Sequence, residues 1–234
     1  KHRIERDGGG FVNLADAEEL TKQMVAAGFN KVFVGIETPE EAGLIECNKT
    51  QNTRRNLLES VRTLQNAGLE VQAGFIVGFD SDTASIFKRQ LRFIQESGIA
   101  TAMVGMLQAL PGTKLHKRMQ TEGRIKGVVS GDNVDGTTNI VPRMPPEVLG
   151  AGYRWLVSRI YAPKYYYRRL RTLLREYNPP RIKIPFNPQY FLAMWRSALY
   201  LGVFGRERLH YWGLIIWMLF RRPRLFATGI KHAI

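Results

Sequence analysis

Three short stretches of the chain set a carboxylate, a hydroxyl or a glycine just past an apolar run, where a buried strand would end. The first is Gly35-Ile36-Glu37-Thr38-Pro39. A carboxylate there can accept hydrogen bonds from a ligand amine or a ribose hydroxyl; equally, Glu37 or Thr38 can cap the next helix. The second is Gly74-Phe75-Ile76-Val77-Gly78, running into Asp80-Ser81-Asp82-Thr83. Glycines within and at the end of a strand permit close backbone approach by a ligand, and the polar residues after them offer helix-capping groups. The third is Gln108-Ala109-Leu110-Pro111-Gly112-Thr113, in which Pro-Gly makes a turn and Thr113 stands ready to cap a helix. Singly, each reads as a loop.

Other chemistry finds little support. The lone cysteine, Cys47, allows no intramolecular disulfide and no cysteine-ligated zinc or iron–sulfur site. It reads as an ordinary small residue and points to a reducing compartment, the cytoplasm by default. His2, His116, His210 and His232 have no metal-ligand spacing, and neither a Ser–His–Asp arrangement nor a P-loop is legible.

The elements that must position the three stretches alternate. Helices are expected over 16–27, 54–67, 83–97 and 113–121, and strands over 31–36, 70–77 and 101–107. Apolar residues recur at helical spacing in the former and run continuously in the latter. Gly28, Gly68 and Gly98 close the first three helices. Such alternation implies βα units on a parallel sheet, leaving a barrel and an open sheet both available. Ligands of such sheets bind at the carboxyl ends of the strands, which is where the three stretches fall.

Charge divides the chain. Residues 1–124 hold 16 Lys+Arg against 15 Asp+Glu, and residues 125–234 hold 18 against 5, so almost all of the net +14 lies in the second part. This gives an expected organisation of a sheet-bearing unit over 1–124, a linker or ordered loop over 125–146, and a basic, aromatic-rich helical tail over 147–234. Tail helices are expected over 146–161, 163–177, 188–204 and 207–220. The longest charge-free tail run, Leu209 to Phe220, is 12 residues, short of the ~20 that span a bilayer. Trp195, Tyr200, Tyr211, Trp212 and Trp217 among arginines suit either a helix lying in a membrane interface or a hairpin packed on the sheet. The arginine- and tyrosine-rich stretch 165–175 matches no recognised nucleic-acid module.

Taken together, and at their spacing, "VFVGIETP", "GLEVQAGFIVGFDSDT" and "MVGMLQALPGTKLHKRM" resemble the later strands of the radical S-adenosylmethionine (SAM) barrel. The resemblance is to the branch with a cobalamin-binding domain ahead of the barrel and a helical domain behind it, which includes hopanoid methylases. It covers about residues 11–124, and more loosely the tail through 161–170 and 219–226. It implies later units of a partial (β/α)6 TIM-like barrel followed by a mostly helical basic tail. It implies a cobalamin-dependent methyltransferase acting on an unactivated carbon, such as one in a polycyclic lipid. It places Gly35, Glu37 and Thr38 at the SAM amino group or ribose, Gly74, Ile76 and Gly78 behind the methionyl and adenosyl portions, and Asp82 where many members carry Glu. Pro111, Gly112 and Thr113 fall near the adenine. Met103 and Met106 are expected in core packing, with the barrel interior as the alternative.

The family's Cys-x3-Cys-x2-Cys loop is absent from the chain, so ligands for a 4Fe-4S cluster, and those for cobalamin, are expected in a missing amino-terminal half. With the charged, Met-less opening Lys1-His2-Arg3-Ile4, this leads to the expectation of a fragment that is inactive alone. Arg6-Asp7-Gly8-Gly9-Gly10 looks unlike the strand expected before "VNLAD". The alternative from another class is a non-catalytic module that its basic tail attaches to an anionic membrane surface or nucleic acid.

Overall fold

A computed structural model describes residues 6–10, 12–132, 134–180 and 188–233; Lys1-His2-Arg3-Ile4 lies outside them. In chain order the elements are strand β1 (Arg6–Gly10), helix α1 (Glu18–Ala26), β2 (Phe29–Glu37), α2 (Glu41–Glu46), α3 (Leu57–Asn66), β3 (Glu70–Val77), α4 (Ile86–Ser97), β4 (Ala102–Met106), α5 (Lys114–Thr121), α6 (Pro146–Tyr161), α7 (Pro163–Glu176), α8 (Pro188–Leu199), α9 (Arg208–Arg221) and α10 (Phe226–Ala233). A π-turn, Tyr200–Phe204, prolongs α8.

The strands form one parallel sheet in the order β1-β2-β3-β4. Among the described residues there are four strands, because Arg6–Gly10 pairs along β2, which corrects the expectation that this stretch is unlike a strand. Edge pairing needs only main-chain N–H and C=O groups, so a run of three glycines can supply it.

A parallel sheet whose spatial order follows its sequence, with crossovers of one hand, carries its helices on one face. The burial pattern agrees. Val32, Val34 and Ile36 of β2, Val71, Ala73, Phe75 and Val77 of β3, and Val104 of β4 are buried beneath α3, α4 and α6 in the main core. The alternate residues are less covered, and Phe33 and Met103 are 40% and 42% exposed. Met103 therefore stands on the uncovered face instead of in core packing, while Met106 packs partly against the core. Sheets with parallel strands are usually buried on both sides; among the described residues this one leaves a partly open face crossed by Phe33, Gly35, Glu37, Gly74 and Met103, while on the same side Gly105 is buried and Ile76 packs on a third cluster with Phe79, Leu107, Met119 and Ile140.

Helix ends follow ordinary rules. Gly28, Gly68 and Gly98 take positive φ after α1, α3 and α4, a conformation in which other residues are strained. Asn56 caps α3 by accepting the Glu59 N–H at 3.2 Å. Between α5 and α6, buried Asn139 accepts the Ala109 N–H at 2.8 Å and donates to the Ala109 carbonyl at 3.0 Å.

Tail helices reach the sheet unit in two ways. Leu149, Tyr153, Leu156 and Ile160 of α6 enter the main core. Helices α7, α9 and α10 build a second core on Leu170, Leu173, Leu174, Tyr211, Leu214, Met218 and Ile230. That second core sits at the amino ends of the strands. Buried Arg169 of α7 donates to the carbonyls of Ile160 and Ala100 at 2.9 and 3.0 Å, the latter just before β4. At the start of β3, Glu70 Oε2 lies 3.2 Å from His232 Nε2 of α10. Burial raises the Glu70 carboxyl, but His232, Lys31 and Lys231 outweigh it and hold it below its ordinary range.

Candidate functional site

The carboxyl end of β2 is irregular. Glu37 has φ of 66°, and the register with β3 slips between Gly35 and Glu37. Positive φ is costly for a residue with a Cβ and persists only where its surroundings impose it. Here Gln90, fully buried on α4, donates to the carbonyls of Glu37 at 3.2 Å and Ile76 at 3.1 Å, tying the two strand ends to one amide. The Glu37 carboxylate folds back over Gly35, where a Cβ would stand 2.5 Å from Oε1. It meets Lys49 Nζ at 3.3 Å. Glycine at 35 thus makes room for an ion pair on the partly open face. Thr38 is buried; its hydroxyl accepts the Glu40 N–H at 3.3 Å in the turn before α2. Neither Glu37 nor Thr38 caps that helix, whose N-cap, Glu40, has no side-chain cap.

On β3, Gly74 faces the Phe33 ring, and a Cβ would stand 3.2 Å from Cζ. Its register partners are Gly35 and Met103, and Ile76 is level with Gly105. Gly78 follows the strand with φ of 101°. Its N–H and that of Phe79 donate to Asp82 Oδ2 at 2.8 and 3.1 Å. Asp82 therefore closes the turn after β3 instead of capping α4, whose N-cap is Ser85. Burial pushes the Asp82 carboxyl up to about 6, against the two N–H donors and helped by Glu46 and Glu40.

Beyond β4, Pro111, Gly112 and Thr113 are exposed. Thr113 caps α5 as expected, accepting the His116 N–H at 3.1 Å, and Gly112 turns with φ of 84° into open space. The structure thus brings Gly35, Glu37, Gly74 and Ile76 to one face, while Thr38, Gly78 and Asp82 serve the turns beside it and Pro111 to Thr113 form an outer turn.

An ion cluster fixes these turns. Asp80 receives Arg124 through two hydrogen bonds of 2.6 and 2.8 Å, with Arg118 at 3.4 Å and Arg143 at 3.5 Å. The Arg124 bonds foremost hold its carboxyl below the ordinary range. Glu46 of α2 accepts the Asp80 N–H at 3.2 Å and Arg118 Nη2 at 2.8 Å. Cys47 sits beside this cluster, its thiol pushed up to about 11 by burial and by Glu37, so it is neutral. Among the described residues no group of three His, Cys, Asp or Glu could hold a metal ion. Lys49 and Phe33 belong to the face and Gln90 holds its strand ends from the α4 side, yet none of the three is marked by the motifs. Of these only Gln90 left a trace, as a polar residue on the apolar side of α4.

A parallel α/β unit with polar groups converging at its strand ends and a helical segment behind is the class these observations define. Residues 113–234 match the family described as a domain of unknown function, DUF4070, and the chain belongs to that family. Over 224 residues, 94% of the chain, it is 34% identical to an uncharacterized methyltransferase of Synechocystis sp., covering 42% of that protein. It is 31% identical over 90% of its length to the hopanoid C-2 methylase of Rhodopseudomonas palustris, covering 40% of that protein. Identity to the bacteriochlorophyllide d C-8(2)-methyltransferase of Chlorobaculum tepidum is 23% over 73% of the chain. The chain spans about two fifths of the first two relatives' length. These relatives are named methyltransferases, and kinship with the hopanoid methylase is what the three motifs led one to expect.

Proposed function

We propose that the chain is part of a radical SAM methyltransferase, and that the partly open sheet face is a section of barrel wall lining its SAM pocket. The observation that carries this reading is the face itself: a sequentially ordered parallel sheet, helices behind, with Gly35, Gly74 and Gly105 in front and Glu37 at the carboxyl end. In a closed (β/α) barrel that face is the interior.

The residues present fit SAM in part. Glu37, paired with Lys49, keeps acceptor lone pairs for the ligand's amino group or ribose hydroxyls. Ile76 and Met103 offer apolar surface, and the glycines let a flat ring approach the main chain. Bound SAM would supply the methyl group or, once reduced, a carbon radical; this chain's contribution is to hold and orient it. The residues do not fit an iron–sulfur cluster: the sequence has one cysteine, where such clusters are held by three or four. The cluster and cobalamin would rest on residues outside this chain, and the substrate on a further proposal, an unactivated carbon of a lipid such as a hopanoid.

Titrating 15N-labelled chain with S-adenosylhomocysteine tests the pocket. Amide shifts should gather at Gly35, Glu37, Gly74 and Gly105, and Glu37→Gln should weaken binding about tenfold, as for a lost charged hydrogen bond. Shifts confined to other parts of the chain would refute the assignment. Anaerobic reconstitution with iron and sulfide should give no stoichiometric four-iron spectrum.

A further inference from the structure

The tail presents an apolar surface that the methyl-transfer reading does not use. Helix α9 is apolar on two sides. Tyr211, Leu214, Ile215 and Met218 face the second core, while Leu209, Trp212, Ile216, Leu219 and Phe220 face solvent at helical spacing. A helix apolar all round is ordinarily enclosed, yet Leu209 is 81% and Phe220 84% exposed. Helix α8 and its π-turn carry a matching stripe of Leu192, Trp195, Leu199 and Val203, also exposed, ending beside Phe204 at 78%. The π-turn and α9 are joined where the Trp212 indole donates to the carbonyl of buried Gly202 at 2.9 Å. The exposed apolar surface is therefore fixed by the fold, since the inner residues of α9 are locked, Tyr211 by a 3.0 Å hydrogen bond with Ser197.

Cations rim this surface. Arg196, Arg206, Arg208, Arg221 and Arg224 are exposed. Arg222, by contrast, donates to the Arg175 carbonyl, and Arg175 lies over the Trp217 ring at 5.7 Å. From Pro188 to the end of the chain there are seven Lys+Arg and one carboxylate side chain, Glu207. Among the described residues no helix is long and apolar enough to cross a membrane.

We propose that the α8–α9 hairpin docks on an anionic lipid bilayer, lying in its interface with Leu209, Trp212, Ile216 and Phe220 among the acyl chains and the arginine rim on the headgroups. Apolar and aromatic side chains on one face, cations beside them, and a length too short to span are the features of such helices. The charge selects the occupant. A second copy would set two arginine rims against each other, and nucleic acid would bind the cations but leave the apolar stripe in water. An acidic bilayer matches both.

Co-sedimentation of the chain with vesicles of phosphatidylcholine, with and without phosphatidylglycerol, tests this. Binding should appear on the anionic vesicles and fall with salt. Neutralising Arg206, Arg208 and Arg221 together to Gln should weaken it about a hundredfold, each arginine near the surface counting for ~1 kcal/mol, or about fivefold. Leu209→Gln with Phe220→Gln should weaken binding at unchanged charge and unchanged helix content, since both side chains are exposed. Equal binding to neutral vesicles, or no binding to either, would overturn the proposal. So would a concentration-dependent dimer in the ultracentrifuge that the Leu209/Phe220 variant dissolves, or RNA binding by gel shift with no vesicle binding.

Discussion

Two glycines of α6 make opposite predictions from the same chemistry. Gly152 faces α4, and a Cβ there would stand 2.0 Å from Phe87 Cε2, 2.3 Å from Cζ and 2.4 Å from Cδ2. Carbon atoms in contact sit ~3.5–4 Å apart, so the ring would have to retreat by more than 1 Å. Phe87 is buried in the main core. Nor is α6 free to lift: Leu149 lies against Gly78, and the Tyr153 hydroxyl donates to the carbonyls of Val104 at 3.1 Å and Val134 at 2.8 Å. Alanine in place of glycine favours a helix by ~1 kcal/mol, while overpacking of this kind costs ~1–3 kcal/mol and can cost more. With contacts this short the cost falls at the upper end of that range, so Gly152→Ala should lose ~1–2 kcal/mol net, lowering Tm by ~2–8 °C in a chain of this size. One turn-half away, a Cβ at Gly150 would meet only the mobile tip of Arg154 at 3.4 Å, so Gly150→Ala should gain ~0.5–1 kcal/mol. Thermal unfolding followed by circular dichroism compares the two. If both substitutions raise Tm alike, α6 does not press on α4, and the joining of tail and sheet in one core is wrong.

Two further outcomes can be checked by denaturant titration. Arg169→Met should cost about 2–4 kcal/mol, because it leaves the buried carbonyls of Ile160 and Ala100 without their donors; a loss below 0.5 kcal/mol would mean those carbonyls are already solvated. Asp82 is pushed up to about 6 in the folded chain from an ordinary 3.8. Between those values the folded state holds the extra proton, so the Asp82 contribution to stability should fall by ~1–2 kcal/mol as pH rises from 4 to 7, against the opposite trend of Glu70 and Asp80. Asp82→Asn keeps an acceptor for the Gly78 and Phe79 N–H groups and should flatten that slope without weakening the chain at pH 7; retention of the full slope would place its source elsewhere.

Much of the scaffold was legible because it rests on local pattern. The bounds of β3 and α6 coincide with those expected from the sequence, 70–77 and 146–161. Helix α2 was missed because its six residues fall between turns, too short for a periodic signal. Helix α10 was missed because its order comes from packing: Met218 presses on Gly229, whose lack of a Cβ admits the sulfur. The expected helix over 188–204 becomes α8 and a π-turn, since Gly202 must open toward the Trp212 indole. Within the site, Glu37 could be singled out by position. Its partner Lys49 and the Gln90 amide that holds its strained backbone could not, because those pairings exist only once β2, β3 and α4 are assembled.

The contact between Glu70 and His232 joins the first residue of β3 to a helix near the far end of the chain. During synthesis β3 emerges long before α10, so the amino ends of the strands, Ala100 and the turns at Gly68 and Gly98 stay uncovered until the tail arrives. Contacts so distant in sequence are slow to form and leave apolar surface exposed meanwhile. Until then the nascent sheet keeps its amino-end apolar surface in water, and a chain ending within the tail would carry a half-built second core.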